Sequence, residues 1–252
     1  MTRANEKAVA VVTGGAGGLG AAICEKLAAA GFVLVVGYHR SAGAAQALAA
    51  RLPGSGHIAL PAVVTDSAGL TTLAAEVRAR LGRADVLVNC AGTTKFVPHG
   101  DLDQLDDALA DQILATNVRG PFAATRAFRA LLAASPRPGG GVVVNISSIA
   151  ASTAMGSNVM YCASKAALDN LTRSLARALA PQVRVLSVSP GLVDTEFVKS
   201  MDPAWRDQQA ARTPLGRLAT PGEVARAVRV AACELSFCTG SIIAVDGGRP
   251  LL

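Results

Sequence analysis

Short apolar segments rich in Val and Ile alternate along the chain with longer segments in which Ala and Leu recur at helical spacing. The short segments predict β-strands at residues 8–12, 33–38, 57–64, 86–89, 142–146, 183–188 and 241–245. The longer segments predict helices at 19–30, 42–52, 70–81, 109–134, 161–180 and 223–233. Because the strand segments lack strict alternation, we expect both faces of the sheet to be covered. The pattern predicts βαβ units on a parallel sheet, in a single α/β domain over residues 1–252.

One segment, residues 194–220, interrupts this alternation. It contains Pro203, Pro214 and the only tryptophan, Trp205, and it has no strand pattern. Structureless connections of this length are uncommon in compact domains unless they have a function of their own. We therefore expect this segment to be a loop or lid that covers the substrate.

Composition and charge narrow the function classes. The chain is 51% hydrophobic and 17% charged, which is typical of a globular protein with a large core. Its formal net charge is +6, but Lys and Arg are scattered from Arg3 to Arg249, so no nucleic-acid partner is predicted. The five cysteines have no zinc-ligand spacing, which predicts reduced thiols and no metal site.

The uncharged stretch 8–24 follows Arg3 and Lys7, which raises the hypothesis of a signal peptide. Five glycines in its second half would weaken an apolar helix, so a strand, a turn and the start of a helix explain it better. No other segment reaches the ~18 apolar residues of a membrane span. We expect a cytoplasmic protein without a membrane partner.

A glycine-rich turn, TGGAGGLG at residues 13–20, directly follows the first predicted strand and opens the first helix. Glycines let the backbone approach a pyrophosphate, and a helix N-terminus offers free N–H groups and a partial positive charge to it. Such a turn is weak evidence alone, because a glycine-rich turn without a ligand is the alternative.

The segment YCASK places the Tyr161 phenol and the Lys165 ammonium four residues apart, on one face of a predicted helix. A positive charge favours phenolate, so we expect Lys165 to lower the pKa of Tyr161 toward a range useful for proton transfer. An ordinary amphipathic pair is the alternative.

Ser148 follows the fifth strand, at the sheet edge where ligands bind, and its hydroxyl would donate to a carbonyl oxygen. Ser147 beside it is expected only to cap or turn the chain.

Further motifs occur in the same order along the chain: NCAG at 89–92, Asn117, Pro190-Gly191 and DGG at 246–248. Together with the glycine-rich turn, Ser148 and YxxxK, they make nearly the whole chain resemble the short-chain dehydrogenase/reductase family, closest to its 3-oxoacyl-carrier-protein reductase-like branch. The resemblance implies a Rossmann-type, doubly wound sheet of seven parallel strands in the order 3-2-1-4-5-6-7, with helices on both faces. It also implies a homotetramer, with a homodimer as the alternative.

The resemblance further implies that Tyr161 is the general acid/base, that Lys165 holds the nicotinamide ribose, and that Ser148 polarises the carbonyl. Asn117 would hold a water that links Lys165 to solvent, although a helix-bending amide satisfied by the backbone is the alternative. Cofactor contacts are implied, besides Tyr161 and Lys165, for Gly14, Gly18, Leu19, Gly20, Tyr38, His39, Arg40, Ser41, Val64, Asn89, Ala91, Gly92, Pro190, Gly191, Val193 and Thr195.

The residues after the second predicted strand indicate which cofactor is preferred. The segment 37–41 reads GYHRS, where NAD-binding proteins usually carry an acid for the ribose 2′-OH. Arg40 and Ser41 suit a 2′-phosphate better, so NADP(H) is favoured over NAD(H). The chain departs from the family at Val63, where an Asp near the adenine is common, and at Cys90, where a second Asn is common.

These features predict an NAD(P)(H)-dependent oxidoreductase that interconverts a carbonyl and a secondary alcohol. We expect it to reduce a 3-oxoacyl or related ketone. A dehydrogenase of a sugar, steroid or other alcohol is the alternative, followed by a non-catalytic cofactor-binding scaffold, against which the intact catalytic residues argue. His99 is a candidate polar contact to the substrate. Eight apolar side chains are expected to line or cover the pocket: Phe96, Val97, Met155, Val159, Phe197, Val198, Met201 and Trp205.

Overall fold

Seven parallel strands form one sheet in the computed structural model, which describes residues 7–251. The strands are β1 (Val9–Thr13), β2 (Val33–Tyr38), β3 (Ile58–Pro61), β4 (Val86–Asn89), β5 (Gly141–Ile146), β6 (Val183–Pro190) and β7 (Ile242–Val245). Their order across the sheet is β3-β2-β1-β4-β5-β6-β7, and each pair is parallel. The predicted fold class is confirmed.

Helices cover both faces of this sheet. They are α1 (Gly18–Ala29), α2 (Ala42–Arg51), α3 (Ser67–Leu81), α4 (Asp107–Leu114), α5 (Gly120–Ala133), α6 (Ala150–Thr153), α7 (Val159–Leu179), α8 (Glu196–Lys199), α9 (Pro203–Ala211) and α10 (Pro221–Cys233). A short 3₁₀ helix, Arg249–Leu251, ends the described range. None of the helices within residues 7–251 is long and apolar enough to cross a membrane.

The alternation of side chains along each strand divides the core into two layers. In β1, Ala10 and Val12 pack into a cluster with α1, α2 and α10, whereas Val9 and Val11 pack into a second cluster with α3, α5 and α7. Every residue of β1 is buried. Burial on both faces explains why the strand segments are apolar throughout rather than at every second position.

The structure corrects three element boundaries. The predicted helix 109–134 is α4, a π-helical turn at Ala115–Arg119, and α5. The predicted strand 57–64 is only β3, so Val63 and Val64 are free to line a cavity. The segment 194–220 is not a simple loop, because it contains α8 and α9. Polar N-caps allow these two helices to start: Thr195 Oγ1 accepts from Val198 and Asp202 Oδ1 accepts from Trp205.

The direction of the chain across the sheet reverses at β1, which lies between β2 and β4. Helices that follow these neighbouring strands cover opposite faces, so a crevice opens at the carboxyl ends of β1 and β4. Open α/β sheets bind their ligands in such crevices. The glycine-rich turn and the end of β5 both lie at this edge of the sheet.

Candidate active site

The glycine-rich turn forms a cradle in which close contacts leave no room for side chains. Gly14 has a φ of +65°, and a Cβ there would lie 2.9 Å from the Cα of Ala91. A Cβ on Gly20 would lie 2.2 Å from the carbonyl oxygen of Gly14. The N-cap of α1 is Gly17, and no side chain caps this helix. Its free N–H groups and the helix dipole therefore suit a phosphate anion.

Two cavities open at the carboxyl ends of the strands. The larger, of about 600 Å³, extends from the glycine cradle to residues 38–41. The smaller, of about 390 Å³, is lined by Ser148, Tyr161 and Lys165. Four residues line both cavities: Leu19, Cys90, Gly92 and Thr93. A cleft with a phosphate cradle in its wall and polar side chains at one end fits a dinucleotide cofactor.

Most of the predicted cofactor contacts line this cleft. The larger cavity is lined by Gly14, Gly18, Leu19, Gly20, Tyr38, His39, Arg40, Ser41, Val64, Ala91 and Gly92, and the smaller adds Pro190, Gly191, Val193 and Thr195. Asn89 lines neither cavity, because its buried amide donates to Asn145 Oδ1 at 2.8 Å behind the wall. Its contact with a cofactor stays a prediction.

Helix α7 brings Tyr161 and Lys165 to the same wall of the smaller cavity. Lys165 is only 6% exposed, and its Nζ donates to the carbonyl oxygen of Ile146 at 2.8 Å. The same nitrogen lies 5.6 Å from the centroid of the Tyr161 ring. Burial lowers the pKa of Lys165 to about 8, against the opposing effects of Cys90 and Asp169. The side chain is therefore still charged at neutral pH.

The pKa of Tyr161 corrects an expectation. Burial raises this pKa above its ordinary value, and a hydrogen bond with the Ser148 hydroxyl offsets the rise only in part. The expected lowering by Lys165 is not seen in this structure, because desolvation of the buried phenol is the largest effect on its pKa. Tyr161 therefore carries its proton at neutral pH.

Ser148 lies directly beside the phenol. Its half-buried hydroxyl is hydrogen-bonded to Tyr161 and accepts from the Ala150 N–H at 3.2 Å. The Ser148 and Tyr161 hydroxyls thus face one cavity, where both are able to donate to a single oxygen atom. Two such donors polarise a carbonyl group and stabilise negative charge on its oxygen.

The π-helical turn places Asn117 in the interior, where its amide joins two other segments. Its Oδ1 accepts from the Thr93 N–H at 2.9 Å, and its Nδ2 donates to the Thr93 carbonyl at 3.0 Å and to Ser164 Oγ at 3.1 Å. The amide is thus satisfied locally, but by the loop after β4 and by α7 rather than by its own helix. A Cβ on Gly92 would lie 3.5 Å from Asn117 Oδ1 and 3.9 Å from Lys165 Nζ. A water held by Asn117 stays a prediction.

The far end of the larger cavity carries no negative charge. No Asp or Glu is among the described residues that line it. Arg40 is exposed at this end, and none of the described residues is hydrogen-bonded or ion-paired to its guanidinium group. Val63 also lines the cavity, at the position where an Asp near the adenine is common in the family that the sequence resembles. This end of the cavity therefore has an exposed guanidinium group and no described carboxylate.

Seven of the eight apolar side chains expected at the substrate pocket are described: two are exposed, two are buried, and Val159, Met201 and Trp205 are intermediate. Phe96 is 71% exposed and Met155 is 47% exposed, whereas Val97 and Val198 are buried in the packing. The side chain of Phe197 lies outside what the structure describes, and none of the other seven lines the 390 Å³ cavity. Their role at the substrate therefore stays a prediction, for which the exposed Phe96 and Met155 are the stronger candidates.

His99, proposed from the sequence as a polar contact to the substrate, has a partner within the protein. Its Nε2 lies 3.1 Å from the carbonyl oxygen of Gly156. A Cβ on Gly156 would lie 3.0 Å from Cδ1 of Tyr161, so the loop before α7 packs closely against the catalytic ring. His99 thus helps to hold this loop in place.

Sequence reasoning missed Asn158, which is 1% exposed and joins the loop before α7 to the loop after β4. It is the N-cap of α7, where its Oδ1 accepts from the Tyr161 N–H at 2.7 Å. Its Nδ2 donates to the Lys95 carbonyl at 2.8 Å and to Thr94 Oγ1 at 3.3 Å. An Asn just before a helical pattern is a capping signal, so the cap was predictable from the sequence, but its bond to the loop after β4 was not.

Comparisons with known proteins cover nearly the whole chain. A family model described as enoyl-(acyl carrier protein) reductase matches residues 14–249. The cis-4-hydroxycyclohexanecarboxylate dehydrogenase of Sinomonas cyclohexanicum is 39% identical, over 98% of this chain and 98% of that protein. The 3-oxoacyl-[acyl-carrier-protein] reductase of Escherichia coli is 34% identical, over 96% of this chain and 97% of that protein.

A solved structure extends the similarity to the fold. The short-chain dehydrogenase/reductase from Brucella melitensis described as a glucose/ribitol dehydrogenase superposes with a TM-score of 0.88 at 30% identity. The match covers 96% of each chain. The glycine cradle and the Tyr161 segment both lie within the range matched by the family model.

The Asn158 bridge predicts that two substitutions have different effects. Asn158→Ala removes the cap and the bridge, so we expect unfolding free energy to fall by about 1 kcal/mol and kcat/KM to fall about tenfold or more. Asn158→Ser keeps a capping oxygen but loses the donors to Lys95 and Thr94, so it should lower kcat/KM with little loss of stability. Urea denaturation and steady-state kinetics measure both quantities. Wild-type kcat/KM in Asn158→Ser would show that the bridge does not position the site.

Proposed function

The chain belongs to the short-chain dehydrogenase/reductase family, and from this premise we propose that it reduces a 3-oxoacyl or related ketone with NADPH. As a member of the family it is an NAD(P)(H)-dependent oxidoreductase that interconverts a carbonyl and a secondary alcohol. The observation that carries the proposal is the convergence of Ser148, Tyr161 and Lys165 on one cavity that is joined to a glycine cradle.

In the proposed mechanism, the nicotinamide ring supplies or accepts the hydride when the cofactor is bound. Tyr161 transfers its phenol proton to the carbonyl oxygen as the carbonyl carbon is reduced, and Ser148 donates a hydrogen bond to the same oxygen. The phenol of Tyr161 is protonated at neutral pH and is therefore able to give this proton, and in alcohol oxidation the same group would take it back. Lys165 would hold the nicotinamide ribose, and Asn117 would fix the Thr93 loop against α7.

The preference for NADP(H) over NAD(H) rests on charge. Arg40 and Ser41 lie at the end of the larger cavity, and no described carboxylate lines that cavity to bind a 2′-hydroxyl. A guanidinium group binds a phosphate with charge-assisted hydrogen bonds. The other residues that would hold the cofactor are those of the glycine cradle and of the Pro190–Thr195 segment.

The substrate class rests on similarity and on the apolar rim. One of the relatives is named as a 3-oxoacyl reductase, and the exposed Phe96 and Met155 suit an apolar acyl chain. A dehydrogenase of a cyclic or polyhydroxylated secondary alcohol is the second candidate. The name of the 39% identical relative and the description of the Brucella structure favour it.

Residues 194–220 are proposed as the lid over the substrate. Arg206 binds Asp194 at 2.8 Å, and Arg249 donates to the Gln209 carbonyl at 2.7 Å, so α9 is held at both sides.

We also propose a cytoplasmic homotetramer, with a homodimer as the alternative. The exposed Phe122 on α5 and the partly exposed edge strand β7 are apolar surfaces that subunit contacts would cover.

The catalytic assignment predicts that Tyr161→Phe abolishes turnover while NADPH binding survives. The phenyl ring retains the packing against the Gly156 loop, but it has no proton to transfer. Steady-state kinetics and NADPH fluorescence titration measure the two effects. Wild-type turnover in this variant would refute the proposed role of Tyr161.

The cofactor assignment predicts that Arg40→Asp shifts preference from NADPH toward NADH. Loss of a charge-assisted contact worth about 1.5–3 kcal/mol should change the ratio of the two kcat/KM values by about tenfold to a hundredfold. Arg78→Asp, an equal change of charge on the exposed face of α3, is the matched control. Equal ratios in the two variants would contradict the proposed 2′-phosphate site.

A substrate panel tests the proposed class. We expect NADPH oxidation with 3-oxoacyl thioesters and related apolar ketones at a higher kcat/KM than with ketoses or 3-oxosteroids. The panel includes the corresponding alcohols with NADP⁺ and an enoyl thioester as a control. Turnover confined to polyols would support the second candidate, whereas turnover of the enoyl thioester alone would contradict carbonyl reduction.

A further inference from the structure

A buried carboxyl group behind the catalytic wall has no role in the mechanism above. Asp169 is 9% exposed and lies four residues after Lys165 in α7, so the two side chains share one face of the helix. Its Oδ1 and the hydroxyl of Ser147 are both buried, and neither makes a hydrogen bond with a described residue. Leaving such groups without partners costs free energy, so each calls for a physical reason.

Lys165 and Asp169 engage consecutive residues at the end of β5. Lys165 Nζ is bonded to the carbonyl oxygen of Ile146, and the Asp169 carboxyl group faces the Ser147 hydroxyl. The next residue along the chain is Ser148. Asp169 therefore lies one helical turn from Lys165 on the side opposite Tyr161, beside the segment that carries the catalytic serine.

The groups that act on the Lys165 ammonium come from two elements. Cys90 at the end of β4 and Asp169 on α7 both favour its charged form, against the larger effect of burial. Burial raises the pKa of Cys90 to about 12, so this thiol stays neutral. The Tyr161 phenol on α7 is protonated as well. Asp169 is thus the one carboxyl group among them.

Several groups around Asp169 favour its charged form. Burial raises the pKa of Asp169 above its ordinary value, and the hydroxyls of Ser147 and Ser187 and the charges of Arg173 and Lys165 offset this rise in part. These groups come from β5, β6 and α7, so the carboxyl group is surrounded by donors and cations rather than by other acids.

We propose that Asp169 is a positioning residue that keeps Lys165 charged and bonded to Ile146 at neutral and mildly alkaline pH. The inference rests on the proposed role of Lys165 in the reaction. The physical reason is that a buried ammonium loses its proton readily, and a nearby anion is the compensation that this wall of the site provides.

Titration of the lysine side-chain nitrogen by NMR, in the protein without cofactor, tests the proposal directly. The chain has five lysines, and the spectrum of Lys165→Met assigns the signal of Lys165. Its midpoint, about 8 in the wild type, should fall in Asp169→Asn, because removal of the carboxylate removes an attraction that favours the ammonium form. Asp103→Asn, a control on an exposed loop, should leave it unchanged. Equal midpoints in both variants would overturn the proposal.

The pH profile of kcat/KM provides a second readout. In Asp169→Asn the loss of activity on the alkaline side should begin at lower pH, and Asp169→Glu should restore the wild-type profile. A purely structural role would instead lower activity by the same factor at every pH and leave the Lys165 midpoint unmoved, which would also overturn the proposal.

The proposed role of Lys165 and the proposed role of Asp169 are tested by different measurements. Full turnover in Lys165→Met would refute the proposed role of Lys165, while the NMR midpoints would still decide whether Asp169 acts on it. If Asp169→Asn does not fold, the wild-type protein decides. The carboxyl-carbon signal of Asp169 should show an inflection at the midpoint of Lys165, because coupled groups report one another's titration. An Asp169 signal without that inflection would overturn the proposal.

Discussion

The hydrogen bond from Lys165 Nζ to the carbonyl oxygen of Ile146 fixes helix α7 against the end of β5. Tyr161 lies one helical turn before Lys165, and Ser148 lies two residues after Ile146, so this contact places the phenol beside the serine hydroxyl. Ile146 is the last residue of β5, so the bond lies at the carboxyl edge of the sheet, where open α/β sheets bind their ligands. The Tyr161 phenol, the Ser148 hydroxyl that is proposed to polarise the carbonyl, and the Lys165 ammonium therefore depend on one junction between a strand and a helix.

Close backbone packing provides the second constraint. Gly14 and Gly20 let the start of α1 meet the end of β1 at distances that any side chain would prevent, and Gly14 lies equally close to Ala91 after β4. The two strands flank the point at which the strand order reverses. The cleft has a phosphate cradle in one wall and the catalytic side chains at one end because both lie along the same sheet edge.

Burial, rather than pairing of opposite charges, governs the protonation of the site. It raises the pKa of Tyr161 and of Cys90, and it lowers the pKa of Lys165 to about 8. The phenol therefore carries its proton at neutral pH. Cys90 and Asp169 favour the ammonium form of Lys165 against this effect of burial, so residues behind the wall of the site act on its charge.

The sequence alone determined the parallel α/β class through its periodicity, and the glycine-rich turn and the spacing of Tyr161 and Lys165 indicated the site. The strand order and most of the residues that line the cleft were implied by the resemblance of its motifs to the family. The bonds of Asn117 and Asn158 to the loop after β4, and the place of Asp169 behind Lys165, were decided by the tertiary structure. The direction of the Tyr161 pKa shift was decided there too, because desolvation depends on every group packed around a side chain and not on its neighbours along the helix.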